Sequence, residues 1–194
     1  MADDPAIRDA LEEGDLARAA TSIVQAHGDE IHRYLSALLG DRTAADEAFS
    51  RWCEAVWTGL PAFRGEATVR VWAYAIARHA WSREVRQLRR DRAGRVPLSE
   101  VASLVAAADA VRSRTATWRR TGARDALAAV RDELSDDDRQ LLLLRIAQRM
   151  SWLEIAHVLA EPGDELSALR RKRRAAALRK RFERLKEELR DRIE

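Results

Sequence analysis

Ser151-Trp152-Leu153-Glu154, continued by Ile155-Ala156-His157-Val158-Leu159 and then by Glu161-Pro162-Gly163-Asp164, decides how this chain folds. A serine with a glutamate three residues on satisfies two orphan N–H groups at a helix start reciprocally, so the stretch opens a short helix to about Ala160. The proline and glycine after it mark a turn. Beyond the turn lies a second helix, predicted to be continuous, whose Leu178, Phe182, Leu185 and Leu189 share one apolar stripe. Short helix, turn and basic helix make the helix-turn-helix arrangement, in which the second helix enters the major groove of DNA.

Charge singles out the same helix. The last 30 residues hold 12 Lys/Arg against 6 Asp/Glu, while the whole chain has a formal net charge of only +3. Between residues 170 and 186, Glu183 is the one anion among ten cations. Such an imbalance is an electrostatic footprint for a polyanion, with DNA the first candidate. Arg170, Arg171, Lys172, Arg173, Arg174, Arg179, Lys180, Arg181 and Arg184 are the candidate contacts, because guanidinium groups pair bidentately with guanine or phosphate. Five successive basic residues wrap the whole helix, so some of Arg170 to Arg174 must point away from any groove. Leu169 lies about 180° from Leu178 on such a helix, so Leu166 and Leu169 are expected to pack on something other than the helix-turn-helix core.

Upstream the pattern is again helical. After a short segment from Pro5 to Glu13, a helix is predicted from Asp15 to Leu39, with Ile23, Ile31, Tyr34, Leu35 and Leu38 apolar and Gly40-Asp41 ending it. Thr43 reads as the N-cap of the next helix. There Phe49, Trp52, Cys53 and Val56 define a buried stripe, and Glu47, Ser50, Arg51 and Glu54 the opposite face. Leu60-Pro61 to Gly65-Glu66 reads as a loop. A long helix follows, with Val69, Trp72, Ala73, Ile76 and Ala80 inward and arginines outward. The expected organisation is all-α: one domain over 15–92, a linker over 93–122 with a short helix near Ser99 to Val111, and a second domain over 123–194. Within the second, Ser135 to Asp138 cap a helix holding Leu141 to Ile146.

Composition excludes several functions. Gly (8) and Pro (4) are scarce, and the longest apolar run, Leu141 to Leu144, is far below the roughly 20 residues of a membrane span. No signal-peptide pattern opens the chain, so a cytoplasmic protein without membrane insertion is expected. The single Cys53 forbids an internal disulfide or a cysteine-based zinc site, and the four histidines show no i,i+4 ligand pair. Neither metal nor cofactor is expected. No nucleophile–base set, carboxylate pair or Gly-rich phosphate loop is present, which argues against an enzyme.

Two groups of motifs together resemble a bacterial RNA polymerase sigma factor of the sigma-70 family, extracytoplasmic-function type. Arg33-Tyr34-Leu35 through Gly40-Asp41, Val56-Trp57, Leu60-Pro61-Ala62-Phe63-Arg64-Gly65-Glu66 and Trp72 to Arg78 are similar to conserved region two. Leu141 to Arg145, Ser151 to Ala156 and Leu178 to Phe182 are similar to region four. The resemblance implies promoter recognition and transcription initiation. Region two would bind the core polymerase clamp, through Glu47, Ser50, Arg51 and Glu54, and the melted promoter element. Region four would sit on the polymerase flap and read the upstream element of promoter DNA. Holding unstacked bases needs aromatic surfaces beside cations, which Phe63, Arg64, Arg70, Trp72, Arg78, His79, Arg83 and Arg86 supply.

The chain departs from the family pattern at Ser50-Arg51, where a Gln-Glu pair is usual. Two other readings therefore stay open. One is a sigma-like regulator that binds an anti-sigma factor or other partner without initiating; the other is a stand-alone helix-turn-helix repressor.

Overall fold

The computed structural model describes residues 5–93, 134–161 and 167–191, and within them every regular element is a helix. In order they are α1 (Pro5–Glu12), α2 (Leu16–Leu39), α3 (Arg42–Gly59), a 3-10 turn (Leu60–Ala62), α4 (Val69–Ala93), α5 (Asp136–Leu142), α6 (Trp152–Val158) and α7 (Ala168–Asp191). The all-α expectation holds for these residues. The expected linker beyond Ala93 with its short helix, residues 123–133 of the expected second domain, the turn at Pro162 to Asp164 and Leu166 lie outside the described residues.

Local chemistry explains most boundaries. Asp15 caps α2 by accepting from Arg18 N, and Gly40 ends the helix at φ 68°, a left-handed conformation that glycine adopts without Cβ strain. The expected Thr43 cap is corrected: Asp41 caps α3, accepting from Ala44 N at 2.8 Å. A carboxylate directly after the left-handed glycine reaches the free N–H groups before Thr43 can, and Thr43 falls inside the first turn. The capping box at Ser151 and Glu154 is present in both directions.

The helix of Leu141 to Ile146 also differs from expectation. It widens into a π-helical segment, Leu143–Ala147, and Gln148 N donates to Leu143 O at 3.0 Å. Arg149 then takes a φ of 54°, unusual for a residue with a Cβ. Arg145 secures this corner by donating to Met150 O at 2.7 Å and stacking on Trp152 at 4.6 Å.

Residues up to Val85 and from Asp136 onward form one compact unit, and residues 86–135 a second, of which only the end of α4 and Leu134-Ser135 are described. In the first unit α1 and α3 pack on α2. Ile7, Ile23, Ile31, Leu35, Trp52 and Val56 there are fully buried. Leu141, Leu144, Met150, Ile155 and Val158 belong to the same continuous core as Tyr34 and Tyr74. The described parts of the two expected domains thus share one hydrophobic interior.

This sharing changes α4. Of the residues expected inward, Val69, Ala73 and Ala80 are buried, but Trp72 and Ile76 are only half-buried. Tyr74, Ala77 and Trp81 are buried instead, because the later helices cover a second face of α4. α7 is unbroken, as expected, and buries Ala175, Phe182 and Leu185. Leu169 does not find another surface: it is 60% exposed.

Candidate nucleic-acid interface

Phe63 to Glu66 connect the 3-10 turn to α4, and Gly65 bends the loop at φ 70°, a conformation that excludes a Cβ without strain. The loop lays the Phe63 ring 5.1 Å from that of Trp72, tilted by 51°. Gly59 lies beneath: a Cβ there would sit 3.4 Å from the Trp72 ring. Together Phe63, Arg64, Glu66 and Trp72 line an open cleft of about 180 Å³, whose far side is His157 of α6. Burial and the nearby Arg171 lower the His157 pKa against the opposing pull of Glu66. The cleft is therefore aromatic on one wall, cationic at the rim through exposed Arg64, and closed by a preferentially neutral imidazole.

Arg70, Tyr74 and Arg78 form an i, i+4, i+8 row on the second face of α4, so these arginines point inward and not outward. Arg70 binds Glu30 of α2 through Nε and Nη2, the shortest contact being 2.8 Å, and reaches Gln148 Oε1 at 3.3 Å. Its guanidinium also lies 5.2 Å from the Tyr74 ring. Burial alone would raise the Glu30 carboxyl, but hydrogen bonds from His27 and Arg70 outweigh it and bring the pKa from 4.5 to about 2. Arg78 donates to Ala160 O at 3.1 Å and to Glu161 Oε1 at 2.7 Å. Burial pushes the hydroxyl pKa values of Tyr34 and Tyr74 well up, so both stay neutral phenols in this seam.

The remaining residues expected at a melted DNA strand divide by exposure. Arg83 and Arg86 are exposed on α4, whereas His79 is half-buried. Arg70 and Arg78 are engaged by Glu30 of α2, Gln148 and the C-terminal end of α6, and neither lines the Phe63 and Trp72 cleft.

On α3, Glu47, Ser50 and Glu54 are exposed as expected. Arg51 turns back and pairs with the buried Glu84 of α4. The charge that departs from the sigma pattern is thereby paired within the chain, although the Arg51 side chain itself stays 37% exposed. Trp57, missed as a surface residue in the sequence reading, completes the outer face at 55% exposure. Its signal was available: it stands three, seven and ten residues after Glu54, Ser50 and Glu47.

On α7 the basic residues also split. Arg174 donates to Leu159 O, and Arg181 donates to Asp138 Oδ1 at 2.6 Å with Asp137 at 3.7 Å. With Arg78, Arg174 thus satisfies carbonyls at the C-terminal end of α6, where positive charge is favoured. Arg171 is half-buried. Arg170, Lys172, Arg173, Arg179, Lys180 and Arg184 are exposed, and their side chains make no hydrogen bond or ion pair among the described residues. The partners Glu30, Gln148, Glu161 and Glu84 had no local sequence signal, since they lie 33 to 83 residues from the arginines they bind.

No group of His, Cys, Asp or Glu among the described residues is arranged to hold a metal ion. None of the described helices is long and apolar enough to cross a membrane. Residues 23–91, which contain α3, the aromatic loop and most of α2 and α4, match the family model of Sigma-70 region 2. No curated protein matches the chain.

Proposed function

We propose that this chain is a sigma factor of the sigma-70 family, of the extracytoplasmic-function type, which directs RNA polymerase core to promoters and initiates transcription. The observation that carries the proposal is the Sigma-70 region 2 match over residues 23–91, within which the Phe63 and Trp72 wall and Arg64 form the cleft. Such a cleft suits one unstacked base, with aromatic surface for its face and a cation for the adjoining phosphate. In this reading the outer face of α3, with Glu47, Ser50, Glu54 and exposed Trp57, meets the polymerase clamp. Exposed aromatic rings are common anchors of protein interfaces. α6 and α7 act as a helix-turn-helix that holds upstream promoter DNA through the exposed cations of α7, while α5 to α7 ride on the polymerase flap.

Arg51 bears on the rival reading. Facing a basic clamp it would oppose binding, and a sigma-like regulator without polymerase would follow. Its pairing with Glu84 offsets part of that repulsion, which favours the initiating role.

Reconstituted transcription tests the proposal. Core polymerase plus this chain is expected to give a specific run-off product from a cognate promoter fragment, and the chain is expected to co-purify with core. A chain that neither binds core nor supports any promoter-directed product contradicts it. Tight sequence-specific footprints by a dimer without polymerase would favour the stand-alone repressor.

A further inference from the structure

A cavity of about 150 Å³ lies where α4, α5, the end of α6 and α7 meet, more enclosed than the Phe63 and Trp72 cleft. Its lining joins Arg78, Arg174 and Glu161 to an apolar set, Leu141, Leu159 and Leu178. Arg181 and Asp137 line it as well, and their charges offset each other at 3.7 Å. Glu161 is 66% exposed, yet its carboxylate is held on Arg78 Nη2 at 2.7 Å. The hydrogen bond and charge of Arg78, followed by the charges of His79 and Arg174, keep the Glu161 carboxyl below its ordinary pKa. The lining is thus suited to an anionic head at Arg78.

Arg78 does not use its full capacity. The Nε and Nη2 edge of a guanidinium takes a carboxylate through two parallel hydrogen bonds, as Arg70 does with Glu30. In Arg78, Glu161 engages Nη2 alone, and Nε is buried without a hydrogen-bond partner among the described residues. A buried donor left unpaired is costly, so a carboxylate that takes both atoms has an advantage over Glu161. Size and polarity restrict the rest of the ligand. A cavity of this volume accommodates a molecule the size of benzene, about six heavy atoms. Three leucines favour methylene groups over the oxygens of an inorganic anion.

We infer that this cavity binds a short aliphatic carboxylate of about four carbons, whose head displaces Glu161 from Arg78 and whose chain packs on Leu141, Leu159 and Leu178. Exchange of one carboxylate for another at Arg78 is nearly even, so the methylenes supply the net affinity, about fourfold each. The bound ligand ties α4 to α7 and keeps Arg78 from phosphate, which makes the seam between these helices responsive to a small metabolite.

Thermal unfolding of the full-length chain, followed by tryptophan fluorescence at constant ionic strength, tests this with sodium acetate, propionate, butyrate and hexanoate, and with butyramide and inorganic phosphate as controls. Affinity from the concentration dependence of the midpoint is expected to rise about fourfold per methylene from acetate to butyrate, and to gain nothing further at hexanoate, which exceeds the cavity. Butyramide is expected to bind at least about tenfold more weakly than butyrate, because hydrogen bonds to a charged group are the stronger ones. Glu161→Gln removes the competing charge and is expected to tighten butyrate about two- to fivefold, the worth of an exposed ion pair. Leu178→Phe, at a partly exposed position, fills the cavity and is expected to abolish the butyrate response while the ligand-free chain still melts cooperatively.

Phosphate binding as well as butyrate, with no dependence on chain length, means general anion attraction and overturns the inference. Butyramide equal to butyrate overturns the role of Arg78, and a butyrate response untouched by Leu178→Phe overturns the location. No stabilisation by any carboxylate removes the site altogether. Each of these is read on the chain alone and leaves the proposed transcription role to the run-off assay.

Discussion

Replacing Glu30 by Gln removes one charge from the seam between α2, α4 and the Gln148 corner while keeping the side chain's size. The structure sets the size of the effect. Glu30 is held at a pKa of about 2 instead of 4.5, with a fifth of its side chain exposed. Each factor of ten in proton affinity is worth roughly 1.4 kcal/mol, so the ionised carboxylate contributes on the order of 2–3 kcal/mol after allowance for solvent. Because the folded pKa lies below the unfolded one, this stabilisation is complete above about pH 4.5 to 5. It is lost as the pH falls toward 2. Urea unfolding of wild type and Glu30→Gln, followed by tryptophan fluorescence, should therefore show a gap of about 2–3 kcal/mol at pH 7 that shrinks to roughly half by pH 3. A gap below about 0.5 kcal/mol at pH 7, or one unchanged at pH 3, refutes the assignment of Glu30 as the carboxylate that anchors Arg70.

Trp52 is fully buried and donates to Ala73 O at 2.9 Å, a carbonyl inside the α4 ladder, so Trp52→Phe should cost about 1 kcal/mol through loss of that second bond, and Trp52→Ala about 3–5 kcal/mol. Thermal denaturation checks the order; a Trp52→Phe chain as stable as wild type would mean that the hydrogen bond contributes nothing. Ser151→Ala should destabilise the chain by about 1 kcal/mol, and adding Glu154→Ala should cost less than it does alone, since the two side chains complete one capping box. Strict additivity in that double-mutant cycle would show two independent caps. Glu161→Ala should change stability by less than about 1 kcal/mol, because the carboxylate is largely exposed. It should raise low-salt affinity for a single-stranded oligonucleotide a few-fold by releasing Arg78; unchanged affinity measured by fluorescence anisotropy contradicts a competition between Glu161 and phosphate.

What could be read from the sequence was whatever depends on residues within a few turns of one another. The core register of α2, the Trp52 and Val56 stripe, the capping box at Ser151 and the continuity of α7 follow from spacing alone. Asp41 displaced Thr43 because two adequate caps lay two residues apart, and the glycine turn before them chose. The π-widened corner and the left-handed Arg149 follow no periodic pattern. The largest departure was at α4, where periodicity described one buried face and the later helices made a second. Arg70 and Arg78 therefore stand on a face that local spacing marks as outward, and their acceptors come from Glu30, Gln148, Ala160 and Glu161. A lone acid on a distant helix carries no mark that it will meet a given arginine.

The same long-range pairing divides the cations by task. Arg70, Arg78, Arg174 and Arg181 each hold a protein carboxylate or carbonyl, so a phosphate can reach them only by displacing an acceptor already in place. A hydrogen bond to a charged group contributes about 1.5–3 kcal/mol, and an incoming phosphate returns a similar amount, so the exchange is nearly balanced and adds little net affinity. Arg64, Arg173, Arg179, Lys180 and Arg184 give up no such partner among the described residues. Their attraction extends over a Debye length of roughly 8–10 Å at moderate salt. In the proposed role the exposed cations of α7 would attract duplex DNA from a distance, while Arg70 and Arg78 of α4 would act only at contact. For the initiation factor proposed above that order would suit the substrate, which is duplex at first encounter and would offer an unpaired strand to the Phe63 and Trp72 cleft only afterwards.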